Sequence, residues 1–209
     1  LDKNFSHILI NTNQNFDTNL NQIFFSQLGL KKPNYNLKCK TSSTAIFLSD
    51  LLAKIDKVLI RENPDAILVL GDTNSSLSTI VAKKRKIPIF HIEAGNRCFD
   101  QRVPEEINRK IVDHISDINL TYSDYASQNL ILEGIPKDRI IKIGSPLLEV
   151  LNANQKKINN SPVIKKLNLQ KDKYILASIH RDENIEDPEI LGEILESILY
   201  LERKYKIPV

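Results

Sequence analysis

The chain has 209 residues, 41% of them hydrophobic and 26% charged, with a mean hydropathy of −0.27. That balance belongs to a soluble globular protein long enough to bury a core, and it excludes a disordered, collagen-like or disulfide-stapled chain. The net charge of +3, from 29 basic and 26 acidic residues, lacks the strong basic footprint of a nucleic-acid binder, so no nucleic-acid partner is expected.

The one basic cluster, Lys83 to Lys86, reads as a solvated helix end, where cations suit the helix dipole. Cys39 and Cys98 fit neither a zinc nor a CxxC spacing, so no metal is expected and a reducing, cytoplasmic compartment is. No apolar run approaches the ~20 residues needed to cross a bilayer. The chain starts at Leu1, contains no Met and ends on Ile207-Pro208-Val209 like an opening strand. It reads as a partial chain.

Taken in order, His7 to Ile10 is a short strand and Asn19 to Leu28 a helix stopped by Gly29. Thr41 to Ile60 is a longer helix capped by Thr41 or Ser42. Strands are expected at Ala66–Leu70, Ile87–Ile92, Ile118–Thr121 and Arg139–Ile143. Ser123 caps a helix over 124–133, and Ser145 caps another with Pro146 at its first position. Short apolar runs separated by helices, with Gly at strand ends, specify a doubly wound parallel α/β sheet covered on both faces. Asn152 to Lys173 turns polar and linker-like, a strand follows at Tyr174–Ile179, and Asp187-Pro188-Glu189 opens a last helix. Two domains are expected, over residues 1–160 and 161–209, the second present only as its first unit.

In open α/β sheets ligands bind beyond the carboxyl ends of the strands. Four polar groups fall there. Asp72, in Gly71-Asp72-Thr73, orients a ligand, transfers a proton or caps the helix beginning near Asn74. His91 and Glu93 share one side of a strand end by the two-residue period, as an acid/base pair, a paired structural histidine or a metal pair. Arg97 and Arg102 lead into Pro104-Glu105-Glu106, which suits a helix start with Glu105 and Arg109 spaced to pair on its surface, or an anionic substrate undergoing proton transfer. His180-Arg181 sits at a strand end suited to phosphate or simply to solvent. No phosphate loop, GxGxxG or serine elbow occurs.

Gly71-Asp72-Thr73, His91-Ile92-Glu93-Ala94-Gly95, Arg97, Pro104-Glu105-Glu106, Asn108-Arg109, His180-Arg181 and Glu183-Asn184 stand in an order and spacing that resemble the non-hydrolysing UDP-N-acetylglucosamine 2-epimerase family. The loop Asn96 to Val103 looks more like the branch that forms UDP-N-acetyl-L-fucosamine from a 6-deoxy-talose precursor. The likeness spans the whole chain, which would then be a little over half of a family chain, lacking a first strand and most of a second domain. Asn11-Thr12-Asn13-Gln14 stands where the family often has His-Thr-Gly-Gln.

The resemblance implies two facing Rossmann-like domains of the glycosyltransferase-B kind with a UDP-sugar between them, no cofactor, and a homodimer serving surface polysaccharide synthesis. It implies inversion at C2 by loss and re-addition of UDP. Asp72, Glu93 and Glu105 would be the proton-transfer acids and His180 would act on the diphosphate. Gln14, Arg97, Arg109, Arg181, Glu183 and Asn184 would contact substrate. A glycosyltransferase of the same fold, a hydrolysing epimerase and a non-catalytic UDP-sugar-binding protein are the competing readings.

Overall fold

The computed structural model of the chain describes residues 4–12, 25, 28–179, 182–185 and 187–209. It divides into two compact units, Leu1–Ser145 and Pro146–Val209, a boundary earlier than the 160/161 expected from composition.

The first unit is built on parallel strands. A two-stranded sheet pairs β1 (Ile10–Asn11) with β2 (Tyr35–Asn36), and a four-stranded sheet runs β3 (Ile67–Leu70), β4 (Ile89–Ile92), β5 (Ile118–Thr121), β6 (Ile140–Lys142) in that spatial order. All pairs are parallel, with Leu70 level with Ile92 and Ile92 with Leu120. The strand-ending loops that carry Gly71-Asp72 and Glu93 therefore emerge at one edge of the sheet. The expected helix over 19–28 lies mostly outside the described residues.

Helix α1 (Thr44–Glu62) starts later than the sequence suggested, because Ser43, not Thr41 or Ser42, is the cap: its Oγ accepts from the Ile46 amide at 3.2 Å. A short 3-10 turn (Asn74–Ser78) leads into α2 (Thr79–Lys84). α3 (Pro104–Ile115) has Pro104 in its first turn, and α4 (Asp124–Leu132) is capped by Ser123 as its sequence signals.

Ile55 and Leu59 of α1, Ala82 of α2 and Ile89 of β4 form the main core, with Ile10, Leu37 and Ile67 packed on it. Ala94, Leu130 and Ile135 form a second cluster beside Ile140. β3 is the first strand of the four-stranded sheet, and burial alternates along it, with Leu68 and Leu70 44% and 60% exposed.

The second unit holds α5 (Leu147–Asn159), α6 (Val163–Lys166), α7 (Asp182–Ile185) and α8 (Pro188–Tyr205). Pro146 takes the capping position of α5, so Ser145 does not cap it. The polar stretch read as a linker is helical up to Asn159, since Asn, Gln and Lys side chains on a solvated helix cost little. Tyr174–Ile179 joins no ladder among the described residues; the Ile175 amide donates to the Pro208 carbonyl at 2.9 Å. Asp187 caps α8, accepting from the amides of Glu189 and Ile190. No helix among the described residues is long and apolar enough to cross a membrane.

Candidate active site

Asp72 follows β3 through Gly71, whose φ of +74° turns the chain sharply at the strand end. The helix-cap reading of Asp72 does not hold. The following turn begins at Asn74 with Thr73 in the cap position, while the Asp72 carboxylate accepts from Arg109 Nε at 3.0 Å and from Arg109 Nη2. Arg109 also donates to the Asn96 carbonyl at 3.1 Å and to Glu106 Oε2 at 2.8 Å. Asn108 donates its amide to the Asp72 carbonyl and to Asn74 Oδ1, both at 3.0 Å. Asp72 is thus held by side chain and backbone from one turn of α3.

Glu93 sits one residue past β4, in a left-handed conformation at φ +71°. The two-residue alternation that was to place it beside His91 ends at Ile92, and a non-Gly residue with positive φ marks a functional constraint more often than chance. The turn brings Glu93 Oε2 to 3.5 Å from where a Cβ on Gly71 would lie, next to Asp72. Burial pushes the Glu93 carboxyl above its ordinary range, and the Asp72 charge pushes it further the same way. Arg109, His91 and a 3.4 Å hydrogen bond from Asn96 pull it down without cancelling the rise. Two acids therefore stand together, one clamped by a guanidinium and the other poised to hold a proton.

A family model described as UDP-N-acetylglucosamine 2-epimerase matches residues 1–209. The chain belongs to the UDP-N-acetylglucosamine 2-epimerase family. It is 40% identical over 212 residues to a protein named UDP-N-acetylglucosamine 2-epimerase homolog from Methanococcus maripaludis, covering 99% of this chain and 58% of the relative. A solved UDP-N-acetylglucosamine 2-epimerase from Rickettsia bellii is 49% identical with a TM-score of 0.90, covering 99% of this chain and 54% of that one. The Methanocaldococcus jannaschii UDP-GlcNAc 2-epimerase, solved with UDP-GlcNAc and UDP, is 36% identical with a TM-score of 0.91, at 99% and 58% coverage. The chain thus spans a little over half the length of the relatives it matches.

Within this epimerase-family framework, the remaining expected residues fall in several places. Glu105 is exposed in the first turn of α3, whereas its neighbour Glu106 is buried. The pair formed with Arg109 is accordingly the i,i+3 one from Glu106, not the i,i+4 one from Glu105. Burial favours a neutral Glu106, but hydrogen bonds from the Cys98 amide and thiol, with the Arg109 charge, overcome this and hold its carboxyl low. Arg97, expected on substrate, has a fully buried side chain that donates to Asp113 at 2.8 Å and, two-pronged, to Glu133 at 2.7 and 2.6 Å. Its interior partners occupy the guanidinium, so the position pins α3 to α4.

His91 is fully buried, with Nδ1 2.8 Å from Asp113 Oδ1 and Nε2 2.9 Å from the Gly71 carbonyl. Of the three readings open to it, paired structural histidine is the one observed, and neither nitrogen is left for a metal. Gln14, His180 and Arg181 lie outside the described residues, as does the Glu183 side chain; Asn184 is partly buried in α7 of the second unit.

Sequence reasoning missed Glu106, Asp113 and Glu133. The available signal was α3 itself. Ile107 and Ile111 are 49% and 37% exposed while Glu106, Asn108 and Asp113 are buried beside Val112, so polar side chains share its inward side.

Proposed function

We propose that this chain carries the proton-transfer half of an enzyme that inverts C2 of a UDP-2-acetamido sugar, an isomerase of the non-hydrolysing UDP-N-acetylglucosamine 2-epimerase type. The observation that carries the reading is the Asp72–Glu93 pair at adjacent strand ends, with Arg109 spent on Asp72 and Glu93 pushed toward its protonated form.

A C2 hydrogen is too weakly acidic to leave unless the C1–O bond breaks with it. The base takes the proton, the C2–H electrons form the C1–C2 double bond, and UDP departs with the C1–O pair. The product is a bound 2-acetamidoglycal. Delivery of a proton to the opposite face of C2 and attack of a UDP oxygen at C1 complete the inversion. No electron is gained or lost, so no redox cofactor takes part. Two faces require two groups, and an adjacent pair of acids with unlike environments provides a base and an acid at one pH. Glu105 stands at the head of α3 as an assisting acid, and Arg109 serves substrate through Asp72.

His180 and Arg181 would stabilise the departing UDP with charge and hydrogen bonds, and Gln14, Arg97, Glu183 and Asn184 would complete the substrate site, Arg97 through the elements it joins. The finer reading, a 6-deoxy-L-talose sugar converted to UDP-N-acetyl-L-fucosamine for a surface polysaccharide, rests on the loop Asn96 to Val103. A cytoplasmic homodimer is the assembly that the family likeness supports.

The test incubates the complete protein with UDP-N-acetylglucosamine and, separately, UDP-2-acetamido-2,6-dideoxy-L-talose in D2O, following C2 by proton NMR. Deuterium at C2 of an intact new UDP-sugar is the expected result, and the substrate that exchanges settles the branch. Accumulation of free UDP would indicate a hydrolysing enzyme. Saturable binding without exchange would refute epimerisation of these sugars.

A further inference from the structure

We infer that Asp113 and His91 form a buried positioning couple that fixes the spacing of the Asp72 and Glu93 strand ends. The inference rests on the proposed use of those two acids, but its geometry stands independently.

Asp113 lies in the last turns of α3 with its side chain fully buried. Its Oδ1 faces His91 Nδ1 at 2.8 Å and accepts from the Gly95 amide at 3.3 Å. Its Oδ2 accepts from the same amide at 3.1 Å and from Arg97 Nη1 at 2.8 Å. On the far side of the imidazole, Nε2 meets the Gly71 carbonyl at 2.9 Å. Gly71 is the residue before Asp72, and Gly95 is two residues after Glu93. One carboxylate thus holds the backbone behind one acid directly and the backbone behind the other through a histidine ring. His91, Asp113 and the Arg97 side chain are all fully buried, so water cannot stand in for a lost partner.

The hydrogen bonds also fix the ring's orientation. A carbonyl only accepts, so His91 Nε2 carries hydrogen toward Gly71. Asp113 Oδ1 holds the other end of the ring at Nδ1. The opposite tautomer would set a lone pair against the Gly71 carbonyl and release that strand end. Positioning errors of about 1 Å at a reacting centre cost on the order of 100-fold in rate, which is the lever this frame controls.

The test uses the complete protein with Asp113→Asn, His91→Gln and the double variant. An Asn cannot accept from every donor now facing Asp113, and a Gln has only one amide donor group for two acceptors. Each single variant should lower kcat by roughly 10- to 100-fold while KM stays within about 3-fold, because neither side chain reaches substrate. If the two act as one couple, the double variant should be no slower than about 3-fold below the worse single one. Losses that multiply, or a single variant with unchanged kcat, would overturn the inference.

Should the variants not fold, histidine ring 15N spectra of the unaltered protein decide it. The His91 ring should be locked, with its Nε2 hydrogen fixed on the Gly71 carbonyl and protected from exchange, and a ring averaging between tautomers would overturn the couple. If the unaltered protein shows no C2 exchange at all, the proposed function fails, and the same spectra still decide the couple.

Discussion

Replacing Gly95 by Ala isolates the close packing that seats the Glu93 turn. Gly95 has φ +78°, and a Cβ there would lie 2.2 Å from the Ala126 carbonyl oxygen, 2.8 Å from its carbon and 2.9 Å from Leu130 Cγ. Two of those three atoms are backbone of α4, so no rotamer change relieves the contact. Gly134 is the matched control, with φ +89° and nothing within 4 Å of its Cβ position. Both substitutions carry the left-handed cost of roughly 1–2 kcal/mol. Only Gly95→Ala adds overpacking, of about 1–3 kcal/mol for displaced core atoms. Gly95→Ala should therefore destabilise the first unit by about 2–5 kcal/mol, and Gly134→Ala by about 1–2 kcal/mol. Urea unfolding read through amide protection in α4 assigns the loss to the unit concerned, and unchanged slopes keep the comparison valid. Variants that agree within about 0.5 kcal/mol would refute the argument that α4 is wedged against this turn.

Three further outcomes follow from the charge network. Because the Glu93 carboxyl is raised on folding, Glu93 adds stability when protonated and loses it as pH rises through the raised value; Glu93→Gln should be more stable than the parent at neutral pH, with the gap closing in acid, as paired urea titrations would show. Equal stability at neutral pH would contradict the rise. Arg97→Met leaves Asp113 and Glu133 without their shared cation and should cost about 3–5 kcal/mol, whereas an exposed pair such as Arg102–Asp100 should cost under about 1 kcal/mol. Thermal unfolding of the two variants side by side checks the ranking. Arg109→Lys keeps the charge but loses the fork that reaches Asp72, Glu106 and the Asn96 carbonyl at once, so turnover in the complete protein should fall on the order of 10- to 100-fold; an undiminished rate would remove Arg109 from the mechanism.

The parts of the fold legible in the sequence are those set by neighbours along the chain. Ser123 and Asp187 announce their helices by local capping chemistry, and Gly71 and Gly95 mark strand ends because the turns there need positive φ. Asp72 and Glu93 were legible as strand-end acids. Their partners were not, since Arg109 reaches Asp72 across 37 positions and Arg97 reaches Glu133 across 36. Helix α3 also defeats pattern reading. Its isoleucines at 107 and 111 face outward while Glu106 and Asp113 are buried beside Val112, because backbone amides and arginines meet those two carboxylates. Glu105 over Glu106 was the resulting error of placement for the Arg109 pair. The strand at 174–179 had the apolar run of a buried strand but forms no ladder among the described residues, and composition alone cannot supply a neighbouring strand.

The cost of aiming Glu93 explains why so much buried charge surrounds it. A non-Gly residue at φ +71° is strained by roughly 1–2 kcal/mol, and a relaxed residue would continue the extended path of β4 away from Gly71. Over the three residues Glu93 to Gly95, the chain makes hydrogen bonds from the Glu93 and Ala94 amides to the Leu120 carbonyl, from the Gly95 amide to Asp113, and from Asn129 to the Gly95 carbonyl. At about 0.5–1.5 kcal/mol net each, these offset the strain with some to spare. The Leu120 bonds belong to the sheet edge and would survive most changes nearby. The Asp113 bond is different, because Arg97 and His91 hold that carboxylate in place. The turn that presents the second acid is therefore conditional on a buried ion network, and the same network reaches Gly71 through His91, so loosening it should release both acids together.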